Sequence, residues 1–313
     1  MTIDLRRLLL ASAAFALSAC GGGGTEVGFI PPPPPPAPPV LTPPPPTTAA
    51  NYIVAATSGS TDYTTQGGFV SYNSASGQSL GTSIAQGDLS FRIRYDAGAG
   101  QYQIELPAST FWEGLSLTPG QVPNTSDFHT ADVTYPTYLQ LQEYAGTGYT
   151  YSALALWSAP GSEAGLSGGV AFGIPTPAGA VPTTGSATFN GSITGRTTQS
   201  SFDSLAGNYW PALVEGSINL SFNFGAGTLA GSLSPTIYDV DRRALAPLNF
   251  INTVYAKGST IFSGSFDTNL TGTSSFSGQF TGPQAQELVG SFAFPYAADG
   301  KTFQATGAFV GKQ

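Results

Sequence analysis

Residues 274–309 read Ser274-Ser-Phe-Ser-Gly-Gln-Phe-Thr-Gly-Pro-Gln-Ala-Gln-Glu-Leu-Val-Gly-Ser-Phe-Ala-Phe-Pro-Tyr-Ala-Ala-Asp-Gly-Lys-Thr-Phe-Gln-Ala-Thr-Gly-Ala-Phe309. Within them Gly278 stands two places before Phe280, Gly290 before Phe292 and Gly307 before Phe309. The spacing recurs upstream at Gly191 with Ile193, Gly216 with Ile218, Gly231 with Leu233 and Gly264 with Phe266. Positions i and i+2 share one face of a strand, so each pair lies on the same side of a sheet. A glycine on a core face leaves room for a ring from the neighbouring strand and lets the sheet bend, as a small closed barrel requires. The stretch therefore predicts barrel strands.

Outward from it the same beat continues. Ala187, Phe189 and Ile193 form one apolar series, Ile218, Leu220, Phe222 and Phe224 a second, and Leu229 with Leu233 a third, with Gly225-Ala-Gly227 as a tight turn. Tyr255, then Phe262 with Phe266, then the opening stretch through Phe303 and Phe309, bring the count to about eight strands, the number at which side chains just fill a barrel interior. Alternation does not say which face is apolar, so a membrane-spanning barrel stays open as the second option.

Phe276-Ser-Gly-Gln-Phe280-Thr-Gly282-Pro-Gln-Ala-Gln-Glu287-Leu-Val-Gly290-Ser-Phe292 resembles the closing hairpin of the barrel in transferrin-binding protein B-like bacterial surface lipoproteins, where a Gly-Pro-x-Ala-x-Glu turn joins two such strands. Gly173-Ile-Pro-Thr-Pro-Ala-Gly-Ala-Val-Pro-Thr-Thr-Gly185 is similar to the lead-in to the same barrel. The resemblance implies a barrel fold, display on the cell surface, and a co-receptor role in capturing iron or another nutrient. The partners it implies are an extracellular protein or iron-carrying ligand and an outer-membrane receptor.

The N-terminus fits that location on its own residues. Arg6 and Arg7 precede an apolar run, Leu8–Leu17, too short to span a bilayer, and Leu17-Ser-Ala-Cys20 resembles the lipobox of bacterial lipoproteins. Cys20 is then the lipidated first residue of the mature chain, and Gly21 behind it favours the outer membrane. The chain contains 1 Cys, which leaves no internal disulfide framework. Gly21–Gly24 is a flexible hinge, and Pro31–Pro46 is an extended polyproline spacer of roughly 50 Å at about 3.1 Å per residue. The expected organisation is a signal peptide over 1–19, a Gly/Pro-rich disordered tether over 20–50, an irregular β-rich handle-like domain over 51–184 and the barrel over 185–313. The fold class is all-β: only 9% of residues are charged and Gly numbers 40, a balance suited to strands and turns.

In the handle, strands are expected at 68–72, 88–95, 101–106, 138–144, 150–157 and 169–172, with Asp96-Ala-Gly-Ala-Gly100 as a hairpin turn. The segment Phe111–Asp132 has no strand pattern and reads as a long loop, with His129 solvated within it. Loops on a rigid scaffold carry binding residues, and Tyr and Trp are favoured in binding patches. Phe111, Trp112, Phe128, Tyr135 and Tyr138 are therefore the candidate ligand-binding residues.

Other chemistry is not spelled out. A net charge of -8 with 10 Lys and Arg and no basic run gives no footprint for nucleic acid. No cofactor motif or metal-ligand set is visible. Ser79 and Ser167 each sit in Gly-x-Ser-x-Gly, but neither precedes a helical pattern, so a serine esterase ranks behind a binding protein and behind a structural or adhesion envelope lipoprotein. Asp239-Val-Asp-Arg-Arg243 reads as a solvated loop between barrel strands.

Overall fold

The computed structural model describes residues 60–85, 91–99, 101–107, 113–117, 127–131, 136–161, 164–203, 207–239 and 241–313. Cys20, the tether, Phe111, Trp112 and Tyr135 lie outside the described residues. In chain order the first ten strands are β1 (Thr61–Asp62), β2 (Thr64–Asn73), β3 (Ser79–Ala85), β4 (Arg92–Asp96), β5 (Gln101–Glu105), β6 (Glu113–Leu117), β7 (Asp127–Thr130), β8 (Tyr138–Glu143), β9 (Ser152–Ala159) and β10 (Ala164–Gly173). They form one sheet in the order β1-β4-β5-β6-β7-β8-β9-β10-β2-β3. The next nine are β11 (Ser186–Asp203), β12 (Asn208–Asn223), β13 (Thr228–Tyr238), β14 (Arg242–Ala244), β15 (Leu248–Val254), β16 (Ile261–Phe266), β17 (Ser275–Thr281), β18 (Glu287–Ala298) and β19 (Lys301–Lys312). Their order is β12-β11-β19-β18-β17-β16-β15-β13, with the short β14 beside β13 and a further β12–β13 pairing that closes the ring. The all-β fold class stands.

The glycine–aromatic beat is explained by the ring's interior. A Cβ at Gly290 would run into the Phe309 ring, one at Gly278 into Phe262, and one at Gly264 would lie 2.6 Å from Phe276. Phe189, Phe222, Phe262, Phe280, Phe292 and Phe309 are buried together there. Phe280 touches the rings of Phe189, Phe222, Phe224, Tyr255 and Phe262 at centroid distances of 5.6, 4.8, 6.1, 6.2 and 5.6 Å. On β12 Ile218, Leu220 and Phe222 point in while Ser217, Asn219 and Ser221 point out. Apolar residues face inward, the reverse of a membrane barrel, whose apolar band faces lipid.

The N-terminal sheet encloses a second core of Phe91, Ile93, Ile104, Leu139, Trp157, Val170 and Phe172. The segment read as one loop, Phe111–Asp132, holds β6 and β7, which pair with each other at Leu115↔Thr130 and Leu117↔Phe128. His129 is on β7 opposite Tyr138 and half-buried, not in a solvated loop.

Both sheets belong to one compact unit, Pro43–Gln313. β10 and β2 lie on the outer face of β11, β18 and β19. The paired glycines Gly68 and Gly169 face the barrel there. A Cβ on Gly169 would collide with the Thr194 carbonyl and stand 2.9 Å from the Ala308 amide nitrogen, and one on Gly68 would be 2.9 Å from the Gly307 nitrogen. Backbone therefore meets backbone, closer than the ~10 Å of sheets separated by side chains. Beside this contact Tyr149, Leu154 and Ala171 bury against Val289, Ala308 and Val310.

Glu287, the acid of the hairpin motif, clasps the two sheets. Its carboxylate accepts from the Thr150 amide at 2.7 Å and the Tyr151 amide at 3.0 Å, and nearby the Ser152 and Thr281 hydroxyls bond at 2.6 Å. Glu287→Ala is expected to cost on the order of 2–3 kcal/mol, because two bonds to a charged acceptor vanish and leave amides unmet. Burial raises the Glu287 pKa above the usual 4.5, offset by the Thr150 and Tyr151 amides, Ser152 and Lys312. The folded chain thus holds this proton more tightly than the unfolded one, so the group's contribution to stability falls as pH rises from 4.5 through the raised native value and is flat above it. Chemical denaturation of Glu287→Gln across that window should lack this slope; an unchanged slope would assign it elsewhere.

Candidate functional site

β11 and β12 are the longest strands of the barrel, and their far ends overhang the first sheet: the Tyr209 amide donates to the Ser74 carbonyl at 3.0 Å. Their pairing slips between Arg196↔Leu213 and Ser200↔Pro211. Pro211 has no N–H to give a ladder, and a proline inside a strand is placed at a bulge for that reason. The slip frees the Pro211 carbonyl, which accepts from an Arg196 Nη at 3.0 Å.

Beneath the overhang is a cleft of about 550 Å³. One wall is the outward face of β7 and β8, with Asp127, Tyr138 and Gln140; the other is Phe202, Trp210, Leu213 and Tyr238. Trp157, 2% exposed, and Ser158 line the floor with Arg196. Tyr138 is 45% and Phe202 54% exposed, and the Phe202 ring packs on Tyr209 at 5.0 Å. Trp210 leans on Tyr72 at 5.9 Å. A polar continuation of about 500 Å³ runs past Gln140 and Tyr238 to Glu143, Glu215 and Arg242. There Ser192 donates to Glu143 at 2.6 Å and Gln142 to Glu215 at 3.3 Å.

Arg196 is partly buried, and its Nε donates to Ser167 Oγ at 3.0 Å. Burial pulls its pKa down to about 10, with Tyr72 and Glu215 acting the other way. The cation therefore persists at neutral pH. Ser167 donates onward to the Trp157 carbonyl at 3.0 Å. Its hydroxyl proton is committed to a backbone acceptor on β9; Ser167 itself lies within β10 and Ser79 within β3, so neither occupies a strand-to-helix elbow. Asp239, read as part of a solvated loop, has a side chain only 4% exposed, takes a bond from Gln199 at 2.7 Å and faces Arg243 at 3.9 Å.

Of the residues singled out for binding, Phe128 and Tyr138 reach the cleft. Phe128 does so from the side: it is 8% exposed and packs in the core of the first sheet. Tyr138 stands at the rim. Arg196, Phe202, Trp210 and Asp127 were not singled out by sequence; the Trp210-Pro211 pair inside an otherwise regular strand was the available signal for the bulge.

Residues 181–313 match the family described as the C-lobe and N-lobe beta barrels of Tf-binding protein B. No curated protein matches the chain. Among solved structures it is similar to a transferrin-binding protein B double mutant from Haemophilus parasuis Hp5 (16% identity, 79% of this chain and 45% of that one, TM-score 0.42). It is also similar to the isotype 1 protein from Neisseria meningitidis (16% identity, 79% and 43%, TM-score 0.40). The N-lobe domain of lactoferrin binding protein B of Moraxella bovis matches at 15% identity over 80% of this chain and 98% of that one, with a TM-score of 0.36. The chain spans less than half the length of the intact transferrin-binding proteins it matches. With its ring of barrel strands closed by β12 and β13, the C-terminal part of this chain has a transferrin-binding-protein-B-like fold.

Proposed function

We propose that the chain is an outer-membrane lipoprotein, anchored through acylated Cys20, held off the membrane by Pro31–Pro46 and displayed at the surface, where it acts as a binding protein or co-receptor. The cleft beneath the β11–β12 overhang carries the reading. The barrel interior is packed with phenylalanine, so a ligand has to be taken on the outside, and the cleft is a concave aromatic-walled surface of ligand-binding size. The solved proteins it resembles are named for binding transferrin and lactoferrin, which supports an iron-carrying extracellular protein as the partner and iron or nutrient capture as the role. Phe111, Trp112, Phe128, Tyr135 and Tyr138 are then the residues proposed to bind, with Tyr138 at the rim of the cleft.

Cys20→Ala should move the protein from the outer-membrane fraction to the soluble one, since stable attachment requires more than one acyl chain. Unchanged membrane fractionation and lipid labelling of that variant would end the anchor assignment. Retention of transferrin by the intact chain should weaken about thirtyfold in Tyr138→Ala at an unchanged thermal midpoint, as truncation of an aromatic anchor does. Equal retention would remove this cleft from the binding face.

A further inference from the structure

The cleft is chemically unfinished. Arg196 carries five N–H donors, of which the bonds to Ser167 and Pro211 use two. Among the described residues no carboxylate stands within ion-pair distance of it, although buried charges are ordinarily paired. Asp127 Oδ1 and Ser201 Oγ, both in residues lining the same cleft, are buried with no hydrogen-bond partner among the described residues. Around these polar atoms the walls are aromatic: Tyr138, Phe202 and Trp210.

We propose that the cleft binds a small organic monoanion, an aromatic or other apolar body bearing one carboxylate. The carboxylate sits on the free donors of Arg196, with the Ser201 hydroxyl as a further donor, and the body lies against Trp210, Phe202 and Tyr138. A volume of about 550 Å³ is within the range of small-ligand pockets. A wholly apolar guest would leave the guanidinium donors unmet, which is costly in a buried site. A dianion such as a phosphate monoester would meet the carboxylates of Asp127 and Asp239 on the same walls, and like charges in a partly dry cleft repel strongly. One carboxylate is what the Arg196 guanidinium can take, since Glu215 acts on it only from beyond ion-pair distance. Asp127 then accepts from a hydroxyl on the ligand body.

This reading names a ligand class for the cleft assigned above and rests on that assignment, but on neither the membrane anchor nor iron capture. It is tested on the intact chain in detergent with 1-anilinonaphthalene-8-sulfonate as a fluorescent anionic probe. Saturable binding is expected, and 2-naphthoate should displace the probe at least about tenfold better than its neutral isostere 2-naphthamide, the scale of one hydrogen-bonded charge. Arg196→Met should weaken the anionic probe by about tenfold while changing the uncharged N-phenyl-1-naphthylamine less than about twofold. Phe202→Ala, at an exposed rim position, should weaken both probes with the thermal midpoint unchanged. Absence of saturable binding, or equal displacement by naphthoate and naphthamide, overturns the proposal whether or not the Arg196 variant folds. Failure here with transferrin retention intact would sink the anion site alone, and the converse result would sink only the protein-capture reading.

Discussion

Phe280→Ala should lower the stability of the folded chain by about 3–5 kcal/mol, as removal of a large ring from a closed core does. Phe280 is 0% exposed and its ring is held among five others, so no single neighbour can swing in to fill the space. The closed ladder around it limits relaxation further, because each strand of the ring is hydrogen-bonded on both sides. Against a typical total of about 5–15 kcal/mol, that loss takes a large part of the margin. The check is the urea midpoint, which should fall with the m-value unchanged. Phe202→Ala, half-exposed at the cleft rim, is the control and should stay within about 0.5 kcal/mol. Equal effects at the two positions would mean that the Gly-x-Phe beat does not mark the core.

Gly169→Ala is the second large effect, expected at about 1–3 kcal/mol from the addition of one methyl group. The new Cβ meets the Thr194 carbonyl and the Ala308 amide nitrogen, both backbone, and backbone in the middle of two paired strands cannot step aside as a side-chain end can. The two sheets must part. Gly169→Val should be worse, while Gly98→Ala in the exposed β4–β5 turn, whose nearest neighbour is an Asp96 side-chain oxygen at 3.3 Å, should be close to neutral. If parting the sheets also opens the cleft, the Gly169 variants will bind the anilinonaphthalene probe less tightly than their remaining folded fraction predicts. A neutral Gly169→Ala would show that the sheets are not in backbone contact.

The barrel was legible because its signal is local: two-residue spacing fixes the face, and glycine beside phenylalanine reports a ring lying over a strand. The hairpin around Asp96–Gly100 was legible for the same reason, and β4 and β5 pair across it as Arg92↔Glu105 to Asp96↔Gln101. β6 and β7 were not. Each is short, each finds its partner across an intervening stretch, and Leu115, Phe128 and Thr130 do not make a run long enough to show a period. Phe128 consequently looked like a loop aromatic when its alternation with Asp127 and His129 turns it into the core. Arg196 was hidden by a different mechanism. It follows Asn190, Ser192 and Thr194 on the outward face of a barrel strand, where a charge is normally wet. Only the docking of a second sheet on that face makes it a partly buried cation, and no pattern within β11 announces a sheet encoded by residues 61–173. Trp112, Phe111 and Tyr135 remain expectations of sequence, to be tried by the retention assay.

The pairing of β11 with β19 also sets an order of assembly. β11 spans Ser186–Asp203 and its ring neighbour spans Lys301–Lys312, so about a hundred residues must be made before that seam can form. The docking of the first sheet, which has a core of its own, waits with it, because the surface that Gly68 and Gly169 rest on is built from β11 and β19. The ring of barrel strands therefore closes only once Lys301–Lys312 is in place, however early the pairings between sequence neighbours form. In this topology β19 is the keystone: without Lys301–Lys312 the ring is an open sheet with β11 and β18 as bare edges, and the surface on which the first sheet docks lacks one of its strands.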